Sequence, residues 1–252
     1  FVKMNRQVLL SFDVEEFDMP LEYQFNIPVD EQMRIGIEGL NAITPILETV
    51  PSTLFTTANF ANHCPERISK LALSHEIASH TFYHTAYETA DLLKSRLRLE
   101  EISGQKITGL RMPRMRPVLM EDVKAAGYTY DSSINPTWLP GRYNNFHLPR
   151  TVYTENGIKR IPASVSPGIR IPLFWLSFKN MPYALYLKLC RQTIAKDGYI
   201  CLYFHPWEFT PIEQFGLPGY TRRWCGPALV ERLLQLVKDL SKDAEFSTMN
   251  QI

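Results

Sequence analysis

The chain has no concentration of charge of either sign. Its 27 basic residues face 26 acidic ones, for a net charge of +1, and no long run of Lys or Arg occurs. The electrostatic footprint of nucleic-acid or anionic-membrane binding is therefore missing. No apolar run approaches the roughly 18 residues that a membrane-spanning helix needs. Cysteine is scarce: Cys64, Cys190, Cys201 and Cys225 form no C-x-x-C pair, which argues against a structural zinc site. Cys201 sits inside an apolar stretch and reads as a small core residue. The start, Phe1-Val-Lys-Met4, has no long apolar core and no small-residue cleavage site. No secretory leader is read there, although a processed terminus would look the same. Nothing demands disulfides, so the expected compartment is reducing and cytoplasmic.

What is present is enough apolar sequence for a sizeable core, 45% of 252 residues. Strand-like runs are expected near 7–13, 53–57, 76–78, 107–110, 128–130, 159–161, 199–205 and 245–249. Helical patterns fall between them, near 31–49, 65–73, 86–103, 119–126, 182–196 and 227–241, with Gly104 as a C-cap. This alternation predicts parallel βαβ units and an α/β fold. The prolines cluster at 113–149 and 162–182, which predicts long ordered loops there. No linker-like break or internal repeat appears, so residues 1–252 are read as a single domain.

In parallel α/β folds, chemistry gathers at the carboxyl ends of strands. Asp13, His80, Arg111, Asp131 and His205 each fall at or just past such an end. Asp13 and Glu15 are two apart on a strand and so share a face. One can bind a metal while the other takes a proton from water. His80 and His84, four apart, would share one face of a helical turn and could chelate the same cation. His75-Glu76 is not a zincin motif, since the next histidine comes five residues later; His75 reads as a structural hydrogen-bonding group. Glu16 and Asp18 read as a solvated acidic loop. Arg111 and Asp131 are either an ion pair under the site or groups that orient its acid and base. His205, rigid before Pro206, suits a proton donor to a leaving amine or a group that stabilises an oxyanion. Trp207 could wall a small acyl pocket, and Trp138, Tyr143 and Trp175 could stack on a sugar.

With these residues in place, the chain resembles the polysaccharide deacetylase (NodB-homology, carbohydrate esterase family four) family from about residue 8 to 210. Ser11-Phe-Asp-Val-Glu-Glu16 resembles the first family motif, T-F-D-D-G, with Val14 in place of the second Asp. Ser79-His-Thr-Phe-Tyr-His84 matches H-S/T-x-x-H. Leu110-Arg-Met-Pro113, Tyr128-Thr-Tyr-Asp-Ser-Ser133 and Leu202-Tyr-Phe-His205 follow in family order. The pairing of Phe-Asp-Val-Glu with His205-Pro-Trp-Glu208 is similar to a bacterial subgroup linked to surface-polysaccharide assembly.

The resemblance implies a single distorted (β/α) barrel of about seven parallel strands. It implies a metal-dependent hydrolase that removes N-acetyl groups from an amino sugar of a poly- or oligosaccharide. The divalent ion, Zn²⁺ with Co²⁺ or Ni²⁺ as alternatives, would be held by Glu15, His80 and His84. Asp13 would be the base and His205 the acid, oriented by Arg111 and Asp131 respectively. A backbone N–H near Pro113–Arg114 would help hold the oxyanion. Trp207, Arg114 and Tyr130 are expected to touch the substrate. Two other readings stay open: an amidase for small or cyclic C–N substrates, and a catalytically silent carbohydrate-binding or scaffold protein, favoured by the altered first motif.

Overall fold

The computed structural model describes residues 6–252. The start 1–4, examined for a secretory leader, lies outside the described residues. The strands are β1 (Gln7–Val14), β2 (Thr53–Thr56), β3 (Glu76–Ser79), β4 (Gly109–Leu110), β5 (Tyr130–Asp131), β6 (Trp138–Leu139), β7 (Tyr143–Asn144), β8 (Tyr153–Glu155), β9 (Ile158–Arg160), β10 (Tyr199–Phe204) and β11 (Glu245–Ser247). The main sheet runs β10-β1-β2-β3-β4-β5-β9-β8, parallel from β10 to β9. Only β8 runs antiparallel, joined to β9 by a tight turn at Asn156-Gly157, both with positive φ. Short β11 pairs in parallel with the start of β1. Past β9 the chain reaches back to β10, where the Ser164 N–H donates to the Cys201 carbonyl at 2.9 Å. The sheet is thus curled into the expected distorted barrel.

β1, β2, β3 and β10 are buried on both faces, which is why β1 and β10 read as near-continuous apolar runs. The side-chain period of two then sorts their residues. Val8, Leu10, Phe12 and Val14 of β1, with Ile200, Leu202 and Phe204 of β10, pack outward under the helices. Leu9, Tyr199 and Cys201 point into the barrel with Phe55, Ala78, Tyr130, Ile161 and Met249. Further along the same inner columns come Ser11 and Asp13 on β1, Tyr203 on β10 and His205 just past its end. The interior therefore changes from apolar to ionisable toward the carboxyl ends of the strands.

Two glycines permit close approaches that shape the site. A side chain on Gly109 would fall about 2.0 Å from the Tyr130 ring, and one on Gly39 about 2.3 Å from the Pro206 carbonyl oxygen. The second contact seats the helix Val29–Ala42 directly on the turn that follows His205. The expected helix 31–49 is broken into Val29–Ala42 and Thr44–Leu47. Pro45, which lacks an N–H, is accommodated in the first turn of the second piece. Gly104 caps Ala90–Ser103 in the left-handed conformation, as the pattern predicts. The helices Ala58–His63 and Trp175–Asn180 were not anticipated; each is only about one and a half turns, too short to show periodicity.

Candidate active site

At the carboxyl ends of the strands lies a cavity of about 310 Å³ whose lining includes Asp13, Glu15, His80, His84, His205 and Trp207. Asp13, Glu15 and His80 leave the ends of β1 and β3, and His205 the end of β10. His80 and His84 converge, but not on a helical turn. The segment after β3 is a loop in which Thr81 has φ 62°, a strained conformation for a β-branched residue. Hydrogen bonds hold that strain: Thr81 Oγ1 donates to the Tyr83 carbonyl at 3.0 Å, and the Thr81 carbonyl accepts from the Ala58 N–H at 3.0 Å.

Glu15 Oε2 lies 2.9 Å from His80 Nε2 and 3.0 Å from His84 Nε2. The opposite ring nitrogens are already committed. His80 Nδ1 is 2.7 Å from the Arg111 carbonyl oxygen, and His84 Nδ1 is 2.7 Å from Asp18 Oδ1. A carbonyl only accepts, so His80 donates from Nδ1 to it and turns Nε2 toward the Glu15 oxygen. Glu15 Oε2 and His80 Nε2 are both buried and have no hydrogen-bond partner. With His84 Nε2 they form a group of two imidazoles and a carboxylate that could hold a divalent cation. In the metal-free group the acid and the imidazole support each other's charge. Burial alone would raise the Glu15 carboxyl, yet the charge of His84 and the close approach of both imidazoles hold it well below the usual range. Burial alone would lower His84, yet Glu15 and Asp18 raise it well above its ordinary value. Glu15 Oε1 in turn accepts from the Trp207 indole N–H at 3.0 Å.

Asp13 flanks this group. Its Oδ1 takes a 2.7 Å bond from Arg111, leaving Oδ2 free at 4.0 Å from His80 Nε2 and 3.8 Å from His205 Nε2. Arg111 is wholly buried. It also donates to Ser11 Oγ and to both oxygens of Ser132, and it stacks on Phe55 at 4.1 Å. His205 stacks on Trp207 at 4.9 Å and meets the edge of Trp175 at 5.0 Å. Burial works against protonation of His205, but its bond to Glu208 and the charges of Glu15, Glu208 and Asp13 raise it above its ordinary value.

Several expectations need correction. Asp131 does not orient His205: alternation along β5 turns it outward, where it pairs with Arg160 at 3.0 Å and accepts from Ser133. Glu208 takes that place, accepting from both the backbone N–H and Nδ1 of His205 at 2.8 and 3.0 Å. Tyr130 does not line the cavity; it points toward the far end of the barrel, where its hydroxyl donates to Glu76 at 2.8 Å. Glu16 and Asp18 are buried rather than solvated. Glu16 accepts from Thr57, Asn59 and the His84 N–H, anchoring the loop that Asp18 orients. His75 is buried, but its Nδ1 has no protein partner. Arg114 lines the cavity mouth while tied to Asp18 and Glu22. Tyr143 and Trp175 line the cavity, whereas Trp138 is 63% exposed and lies outside its lining. Glu208, three residues after His205 and inside His-Pro-Trp-Glu, had a legible capping-box spacing. Asp18 had no comparable signal.

No family model matches the chain, and no curated protein matches it. Solved structures do. A candidate polysaccharide deacetylase from Mycobacterium smegmatis is 19% identical, with a TM-score of 0.61 over 100% of this chain and 90% of that one. A PuuE allantoinase is 14% identical, with a TM-score of 0.62 over 100% and 90%. A CE4-family pseudoenzyme from Bacillus anthracis is 11% identical, with a TM-score of 0.50 over 98% of this chain and 65% of that one. The chain therefore has the polysaccharide-deacetylase fold, and at the mouth of that fold it carries a buried Glu15, His80 and His84 group able to hold a metal ion.

Proposed function

We infer that the protein is a metal-dependent hydrolase that removes N-acetyl groups from an amino sugar in a poly- or oligosaccharide, with residues 1–252 as one catalytic domain. The observation that carries this is the meeting of Glu15 Oε2, His80 Nε2 and His84 Nε2 beside the free Asp13 Oδ2 and His205 Nε2, at the wall of one cavity. A divalent ion on Glu15, His80 and His84, with Zn²⁺ the best fit to nitrogen and carboxylate donors, would polarise an amide carbonyl and make water easier to deprotonate.

The chain's own groups divide the remaining work. Asp13 accepts the proton at Oδ2, while Arg111 keeps Oδ1 occupied and the carboxylate oriented. His205 delivers a proton from Nε2 to the departing amine, with Nδ1 anchored on Glu208. Asp18 and the Arg111 carbonyl fix the ring orientation of the two histidine ligands. Trp175, Tyr143 and Tyr203 supply flat apolar surface for a sugar ring.

The test is acetate release from N-acetylated oligosaccharides by the protein as purified and by D13N. Loss of a positioned base is expected to cost roughly 10²–10⁴-fold in kcat. Undiminished acetate release by D13N would remove Asp13 from the chemistry. The likeness to an allantoinase favours a second reading, ring opening of a cyclic amide by the same groups. Parallel assays on cyclic amides separate the two. Stoichiometric metal without turnover in either assay would favour a silent carbohydrate-binding protein.

A further inference from the structure

Beneath His205 lies an ion pair that the chemistry above does not use. Lys179 and Glu208 are both wholly buried side chains, with Nζ 2.9 Å from Oε2. Lys179 comes from the short helix Trp175–Asn180, far from the family-like motifs. Its Nζ also donates to the Thr221 carbonyl at 2.7 Å and lies 5.3 Å from the Trp175 ring centre. Both Glu208 oxygens are engaged: Oε1 takes the His205 N–H and Nδ1–H, and Oε2 meets the ammonium as an ion pair. A buried ion pair adds little net stability over apolar residues of the same volume. Its effect lies in the charge it imposes on what it touches, and here it touches the imidazole.

We propose that Lys179 is a positioning residue for proton transfer by His205: its buried ammonium keeps Glu208 a carboxylate in both protonation states of the imidazole, so that His205 can release the Nε2 proton and regain it. This rests on the reading of His205 as the proton donor. In the step itself the Nε2–H bond breaks, an N–H bond forms on the departing amine, and a neutral imidazole remains. Without Lys179, loss of that proton would leave Glu208 as an uncompensated buried carboxylate, and the Glu208–His205 pair would hold the proton back. The direction of the effect follows from charge alone, since removing a cation makes its neighbours bind protons more tightly.

The groups around the pair are few. Asp13 Oδ2 is 3.8 Å from His205, and the charge of Glu15, which accepts from Trp207, also acts on the imidazole. Tyr203 meets the imidazole edge-on at 6.0 Å. The Cys225 thiol is close enough to feel the charge of Lys179. Arg232, from the helix Pro227–Leu240, is committed to the Phe178 and Met181 carbonyls.

The experiment follows the His205 imidazole by NMR in the zinc-loaded full chain, with the resonance assigned by its loss in H205Q. In K179M the midpoint should rise by about one pH unit or more, a tenfold gain in proton affinity. In K179M/E208Q, which leaves no unpaired buried charge, the midpoint should fall below that of the parent chain, because the nearer carboxylate is gone. A folded K179M with an unchanged midpoint overturns the proposal. If K179M does not fold, the double variant decides, and an unchanged midpoint there overturns it equally. The alkaline limb of kcat for acetate release should move up with the K179M midpoint while KM holds, which a purely structural lysine would not produce. Absence of acetate release from the parent chain would sink the functional reading and leave the titration result standing.

Discussion

Two of the buried carboxylates, Glu76 and Glu15, lie at opposite ends of the barrel, and they are handled in opposite ways. At the amino end, Glu76 is surrounded by neutral donors: Thr53 Oγ1 at 2.7 Å, the Tyr130 hydroxyl at 2.8 Å and the Asn250 N–H at 3.1 Å. Burial outweighs these bonds and raises its carboxyl above the usual value. At the carboxyl end, Glu15 is as buried but faces imidazoles, and it is held well below that value. The first arrangement closes the barrel floor with hydrogen bonds, tying β3 to β2, to β5 and to the chain's final turn. The second brings a carboxylate and two imidazoles into a group able to hold a metal ion. Burial of an acid is therefore no sign of function by itself; the kind of partner decides.

Substitutions at the mouth and at the floor test this contrast. The largest effects should come at the mouth. H80A and H84A should each lose stoichiometric metal and acetate release. The several kcal/mol of charge stabilisation a metal supplies correspond to roughly a thousandfold or more at about 1.36 kcal/mol per tenfold. Metal retained at full stoichiometry in either variant would dissolve the distinction between the two ends. Next, E208Q strands Lys179 as a buried unpaired cation, which should cost about 3–5 kcal/mol of unfolding free energy, read from urea midpoints. D18N should weaken metal affinity roughly 10–100-fold by loosening the His84 ring, measured by competition with a chelator; a smaller loss would mean that Glu16 alone holds that loop.

The floor should answer differently. Y130F removes one donor from Glu76 and should cost about 1–3 kcal/mol in stability, with kcat and KM unchanged; a shift in KM would return Tyr130 to the substrate site. The pH dependence of the floor also has a definite sign. The folded chain binds the Glu76 proton more tightly than the unfolded chain does. The stability this group contributes is complete below the ordinary carboxylate value and is lost as pH rises through the raised one. E76Q should flatten that part of the stability curve, the smallest of these effects, measured by unfolding at a series of pH values.

Much of this was legible in the residues. The runs at β1, β2, β3 and β10 appear near their observed bounds, because parallel strands buried on both faces are dense in apolar residues. The order of Asp13, His80, Arg111 and His205 at strand ends pointed to one mouth. Less was legible at β5, where a one-residue difference in where the strand begins decides whether Tyr130 or Asp131 faces inward. Glu16 and Asp18 looked solvated because polarity in a loop says nothing about what will cover it.

Local pattern was sufficient for the alternation of strands and helices, the inner column that ends in Asp13 and Glu15, and the helix cap at Gly104, since each depends on residues within a turn or a strand of one another. The partner of each buried charge lay beyond it. Lys179 meets Glu208 across 29 positions, Asp18 meets His84 across 66, and Trp207 meets Glu15 across 192. Such pairings depend on how the curled sheet and its loops pack together, and in a dry interior those contacts set which acid holds its proton more tightly, which less, and which can hold a metal.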